Sequence, residues 1–296
     1  MLITNNTQEW RERVRIGRLG PIGQERPAIF VEGDHAVFVD HLVDDWSRDT
    51  IAANAVEIVR SADLSSLPRV ALSDYRIGSP VARPTKIICI GLNYARHAAE
   101  AGLETPTEPV IFMKVPDTCV GPYDDIVIPP NSTATDYEVE LAIVIGRQAL
   151  YLPDPAAAGA YILGFSISQD VSERHWQIER SGQWVKGKSF PTFNPLGPCI
   201  VTPNELNVED LRIWCTVDGE TRQDSRTNDM IFNVDYIVWY VSQVMELFPG
   251  DVINTGTPAG VGLGFDPPRY LRPGEVVVTG IEGIGEIRSV TVSHQR

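Results

Sequence analysis

The chain has 296 residues, 43% hydrophobic and 22% charged, enough to bury one large β-rich domain or a catalytic domain with a small appendage. Its 25 Lys and Arg face 39 Asp and Glu, a net charge of −14. That excludes nucleic acid and anionic membrane as main partners, because both call for clustered basic residues.

In chain order, the start Met-Leu-Ile-Thr-Asn-Asn has neither a basic n-region nor a long apolar core. No secretory signal is therefore expected. No apolar run approaches the ~20 residues of a membrane span, and the expected compartment is a reducing cytoplasm. Residues 1–80 read as a small N-terminal β-rich domain, with Ala28–Val39 alternating around Gly33-Asp34 as a hairpin does and a short helix over 49–61. Residues 81–296 form the second, catalytic domain. It opens on the apolar strand Lys86-Ile-Ile-Cys-Ile, which runs into Gly91 and a helix-like segment Asn93–Ala101. Strands are predicted at 109–114, 125–128, 137–146, 161–170 and 198–202. A helix is predicted over 234–247, where Val234, Ile237, Val238, Val241, Val244, Met245 and Phe248 recur at three- and four-residue steps. Strands return at 251–254, 275–280 and 285–292. Many short strands and few helices predict a mainly β fold with helical decoration. Cys89, Cys119, Cys199 and Cys215 are widely spaced without a Cys-x-x-Cys pair, and read as structural thiols.

Thr135-Asp-Tyr-Glu-Val-Glu-Leu-Ala-Ile-Val-Ile-Gly146 carries the clearest chemical signal. In a strand, Glu138 and Glu140 share one face, roughly 6–7 Å apart, while Val139, Leu141, Ile143 and Ile145 take the other. Two carboxylates set among apolar residues repel unless something neutralises them, and a divalent cation does so directly. Two solvent-facing glutamates are the competing account. Asp170 ends the second apolar run, at a point where a strand gives way to a predicted helix; it is either a third ligand or an N-cap. An all-carboxylate set suits Mg²⁺ or Mn²⁺ and not Zn²⁺. Arg174 and Gln177 lie four and seven residues on, predicted to share a helical face with Asp170. His97 and Glu100 are three apart in a helical segment, a carboxylate-oriented imidazole able to act as general base, or else a surface ion pair. Lys186 and Lys188 in Trp184-Val-Lys-Gly-Lys-Ser-Phe190 either stabilise a developing enolate or are solvated loop lysines. The glycine-rich Asn254–Gly264 stretch lacks phosphate-loop spacing, but its hydroxyls and amides suit a carboxylate.

In this order, "GLNYARHAAE", "DYEVELAIVIG", "SQDVSERHWQ", "KGKSF", "PGDVINTGTPAGVGLG" and "LRPGEVV" resemble the fumarylacetoacetate hydrolase family from about Lys86 to Val292. The resemblance implies a mixed β-roll catalytic domain, a homodimer, and Mg²⁺ or Mn²⁺ on Glu138, Glu140 and Asp170. It also implies His97 and Glu100 on a mobile lid, expected over 93–104, and substrate contacts from Arg174, Gln177, Lys188 and Thr257. "GPIGQERPAI" and "SERHWQIERSGQWVKGK" look most like hydrolases of 2,4-diketo-3-deoxy sugar acids of the rhamnonate or fuconate type. The chain departs from that pattern in carrying about fourteen residues before "GRLGP", Pro191 where Asp is usual and Asn194 where Gly is usual. The implied reaction is metal-assisted cleavage of a 2,4-dioxo acid to pyruvate and a second carboxylic acid. Decarboxylation or tautomerisation of oxaloacetate-like acids and isomerisation of unsaturated dioic acids share the same enolate chemistry. An idle binding protein on this fold is the remaining alternative.

Overall fold

The computed structural model describes residues 14–100, 102 and 104–295, with the side chains of Ala98 and Ala99 left out. The first thirteen residues of the expected N-terminal domain, the initial Met-Leu-Ile-Thr-Asn-Asn included, and positions 101 and 103 of the expected lid lie outside the described residues. The architecture is mainly β with short helices, as the patterning predicts.

A large twisted sheet runs edge to edge through Val70–Ala71, His35–Phe38, Arg26–Val31, Arg15–Leu19, Asn194–Val201, Ile162–Gln169, Val139–Ile145, Val252–Asn254, Ile87–Gly91 and Val110–Lys114. The N-terminal strands join it directly, Arg15 lying opposite Val201. A second sheet is built from Glu220–Arg226, Arg212–Val217, Val276–Ile281, Gly285–Ser293 and Ile126–Ile128. The Val139–Ile145 strand is buried along its whole length and separates two cores. Val139, Leu141, Ile143 and Ile145 pack into the core shared with the smaller sheet and the helix Val234–Val244. Ala142 and Val144 face the other, with Ile16, Val37, Ile87 and Cys89. Glu138 and Glu140 continue the Ala142–Val144 parity toward the strand's start, which puts both carboxylates on one face as strand alternation requires.

The Val234–Val244 helix is capped by Asn233, whose side chain accepts from Tyr236 N, and it buries Ile237, Val238 and Val241. It stops short of the predicted residue 247, because Met245 is extended and Leu247 bridges to Ala149. The helix expected over 49–61 is two, Arg48–Ala52 and Ala55–Ser61, broken at Asn54 with a left-handed φ of 60°. Asn194–Val201 starts four residues before the strand predicted at 198, its beginning masked in the sequence by Pro195 and Pro198. The strands Arg212–Val217 and Glu220–Arg226 were not anticipated, since polar ETRQDSR has no apolar alternation of its own. Ile237 is fully buried, and Ile237→Ala is expected to cost about 2–5 kcal/mol by chemical denaturation through the cavity it leaves. No helix among the described residues is long and apolar enough to cross a membrane.

Candidate active site

The strand register brings the three acids together. Val139 lies opposite Gln169 and Glu140 opposite Ser168, so the same register carried one step further sets Asp170 against Glu138, and Asp170 N donates to Glu138 O at 2.9 Å. Carboxylate oxygens of Glu138, Glu140 and Asp170, one from each, lie within 4.8 Å of one another, and all three residues are buried. Asp170 is not the N-cap of a helix. Residues beyond it stay extended because Ser172–Glu173 pairs with Thr135–Asp136, and helical backbone resumes only at Arg174. Arg174 and Gln177 therefore share a helical face with each other and not with Asp170.

Three cations meet these acids. Lys188, on the short helix Val185–Lys188, donates to Glu138 Oε2 at 2.6 Å and Asp170 Oδ2 at 2.7 Å. Arg174 donates from Nε to Asp136 Oδ2 (2.8 Å), from Nη1 to Gln177 Oε1 (2.9 Å) and from Nη2 to Glu138 Oε1 (2.6 Å). Lys114, which ends the Val110–Lys114 strand, bonds Asp170 Oδ1 and donates to Val171 O at 3.1 Å. Neither Lys114 nor Asp136 is among the residues singled out from sequence. A lone lysine closing an apolar strand was the available signal for Lys114.

Burial would raise the Glu138 carboxyl, but Arg174 and Lys188 outweigh it and hold the group below the usual range. Glu140 has no such help. Burial first, then the charges of Asp170 and Glu138, push it well above the usual range. Its one side-chain hydrogen bond among the described residues comes from Gly256 N at 2.8 Å. The two lysines respond differently. Burial lowers Lys114, with only Asp170 opposing strongly, whereas Asp170 and Glu138 together overcome burial and raise Lys188. Among the described residues, Asp136, Glu138, Glu140 and Asp170 against Lys114, Arg174 and Lys188 leave one carboxylate uncompensated, and Glu140 is the one without a cationic partner there. A buried, unmatched carboxylate in an all-oxygen cluster fits a hard divalent ion.

The cluster opens into a cavity of about 350 Å³ lined also by His97, Glu100, Gln177 and Thr257. All nine expected site residues line it or, for Asp170, touch Lys188 at its floor. The Ala95–Glu100 helix is rooted by Asn93, whose Nδ2 donates to Phe232 O (3.0 Å) and Thr255 O (2.8 Å). At its far end the Glu100 carboxylate accepts from Gly260 N at 3.0 and 3.2 Å and from His97 Nδ1 at 3.1 Å. A carboxylate facing Nδ1 fixes the proton there and leaves Nε2 as the basic nitrogen. The His97 and Glu100 side chains are 13% and 22% exposed, against 42% and 67% for the His175–Glu179 pair on the surface. The Thr257 hydroxyl donates to Val139 O (2.9 Å) and accepts from Gln223 Nε2 (2.7 Å), so toward the cavity it can only accept. Pro191 is exposed and Asn194 is buried against Ser168 and Asn254, and neither lines the cavity. A larger cavity of about 670 Å³, beside Phe30, Arg69 and Glu286, contains none of these groups.

The chain matches the family described as fumarylacetoacetate (FAA) hydrolase C-terminal over residues 86–292. A Burkholderia multivorans protein with a provisional hydrolase name is 45% identical over 280 residues, 94% of this chain and 99% of that one. The solved 2-hydroxyhepta-2,4-diene-1,7-dioate isomerase from Mycobacterium marinum has a TM-score of 0.76 at 33% identity, covering 96% of this chain and 100% of its own. The maleylpyruvate hydrolase from Sphingobium sp. SYK-6, solved with manganese(II) and pyruvate, has a TM-score of 0.79 at 26% identity, covering 95% and 100%. With most of its length inside the family match and a close relative along nearly the whole chain, this protein belongs to the fumarylacetoacetate hydrolase family.

Proposed function

We propose that the protein is a divalent-metal-dependent hydrolase that cleaves a carbon–carbon bond of a 2,4-dioxo acid, giving pyruvate and a second carboxylic acid. The observation that carries this reading is one cavity holding both the buried Glu138–Glu140–Asp170 cluster and a sheltered His97–Glu100 pair. Glu138, Glu140 and Asp170 would hold Mg²⁺ or Mn²⁺, which supplies Lewis acidity toward a 2-oxo acid and charge stabilisation for its enolate. Gln177, whose Nε2 has no partner among the described residues, offers a donor to the acid end, and Arg174 adds positive charge beside it. His97 Nε2 takes a proton from a water that adds to the C4 carbonyl, with Glu100 orienting the ring and stabilising the imidazolium. The C3–C4 bond then breaks, its electron pair passing to the pyruvate enolate, which Lys188 stabilises until C3 is protonated. Pyruvate release from acylpyruvates and 2,4-diketo-3-deoxy sugar acids, followed with Mg²⁺ or Mn²⁺ and with chelator, tests the reading. Metal-dependent release is expected, and no release from any of them sinks it. The similarity to a dioate isomerase favours enolate chemistry without water attack as the second reading.

The helix bearing His97 and Glu100 acts in this account as a lid latched by Glu100 on Gly260. A Cβ at Gly264 would lie 2.5 Å from Glu100 Cδ, so Gly264→Ala should push the carboxylate off its latch. We expect at least a tenfold loss of hydrolysis, less than the ~10²–10⁴-fold that general-base assistance contributes, because the imidazole itself remains. Hydrogen exchange checks the cause: backbone protection over 95–100 should rise with oxalate, an enolate mimic, in the wild type and much less in the variant. Equal protection in all four samples would rule out a latch.

A further inference from the structure

Beyond the polar side chains placed above, every other described residue of the cavity lining is aliphatic, aromatic or glycine. Leu92, Phe112, Ile178, Trp184, Val261 and Leu263 supply the large faces. The wall is built, not incidental. Trp184 packs edge-on against Phe112, ring centroids 5.2 Å apart at 65°. It lies so close to the strand end that a Cβ at Gly91 would sit 2.7 Å from its ring, so only glycine admits the indole there. Val261 and Ile90 are the deeply buried part of this lining, while Ile178 and Leu263 form its rim at 51% and 38% exposure.

The cations of the lining are already engaged. Arg174 uses Nε, Nη1 and Nη2 on Asp136, Gln177 and Glu138, and Lys188 spans Glu138 and Asp170. Among the described residues no further Lys or Arg lines the cavity. A second carboxylate on the substrate's far end would meet aromatic and aliphatic carbon, close to a site already rich in carboxylates. A polyhydroxyl chain would lose water without gaining partners.

Resting on the 2,4-dioxo acid reading, we infer that the substrate's tail beyond C4 is an uncharged apolar acyl group, alkyl or aryl, selected by Trp184, Phe112 and Ile178. The head of the molecule is held by the polar half of the cavity, and the tail is held by burial alone. Each methylene added to an alkyl tail should then tighten binding about fourfold until the cavity is filled.

Binding of unreactive 2-oxo acids tests this apart from turnover. 2-Oxohexanoate and 2-oxoadipate share a head and a chain length, one ending in methyl and the other in carboxylate. Calorimetry on the whole protein with Mg²⁺ should find 2-oxohexanoate bound at least about tenfold tighter, the unpaired carboxylate being penalised by desolvation. Ile178→Arg, a change at an exposed rim position, should narrow or reverse that ratio by supplying the missing cation. Equal or tighter wild-type binding of 2-oxoadipate, or no binding of either acid, overturns the inference. The hydrolase reading fails by a different result: no pyruvate from acylpyruvates of either tail type, whatever the binding ratio.

Discussion

Glu140→Ala is expected to abolish metal binding and catalysis together while leaving the fold intact. Glu140 is 2% exposed, has no cationic partner among the described residues and is pushed toward protonation by burial and by Asp170 and Glu138. Its removal takes away one of the three proposed ligands, so divalent-ion affinity should fall by at least about 100-fold, more than loss of an outer-sphere partner costs. The metal-free variant should melt no lower than the metal-free wild type, because an uncompensated buried carboxylate destabilises the fold. Glu138 differs: its loss breaks buried ion pairs with both Arg174 and Lys188, each left with a single carboxylate partner, Asp136 and Asp170 respectively. Glu138→Ala should therefore destabilise where Glu140→Ala does not. Elemental analysis, thermal melting and pyruvate release read the three quantities separately. Unchanged metal content in Glu140→Ala would remove the cluster from the chemistry.

His97→Ala should lower hydrolysis about 10²–10⁴-fold, the usual worth of a positioned general base. That corresponds to roughly 3–5 kcal/mol of transition-state stabilisation. Metal affinity should be unaffected, since His97 bonds Glu100 and not the acid cluster. His175→Ala is the matched control, a His–Glu pair of the same kind on the open surface, and should leave hydrolysis unchanged. Near-wild-type hydrolysis by His97→Ala would leave isomerisation or decarboxylation as the better account.

The parts of the site set by local rules were legible in the sequence. Strand alternation alone places Glu138 and Glu140 on one face, and helical spacing alone pairs His97 with Glu100. What depended on long-range contacts was not. Lys114 acquires its meaning from Asp170, 56 residues away, and Glu100 from Gly260, 160 residues away. Asp136 stands two residues from Glu138 but reads as a strand-edge polar residue until Arg174 is folded onto it. The helix expected after Asp170 gave way to strand because Ser172 and Glu173 found partners in Asp136 and Thr135, a pairing with no local signature. The strand Glu220–Arg226 is polar along its length and owes its conformation to Arg212–Val217 beside it. The chemistry-bearing residues of this fold are thus announced by pattern, while the charges that tune them are supplied by topology.

The most direct test of the account is product identification by proton NMR with an acylpyruvate such as acetylpyruvate, with Mg²⁺ and after chelation. Pyruvate and acetate are expected in equal amounts, formed only when the metal is present. Carbon dioxide release, an isomer with its carbon skeleton intact, or cleavage that survives chelation would contradict it.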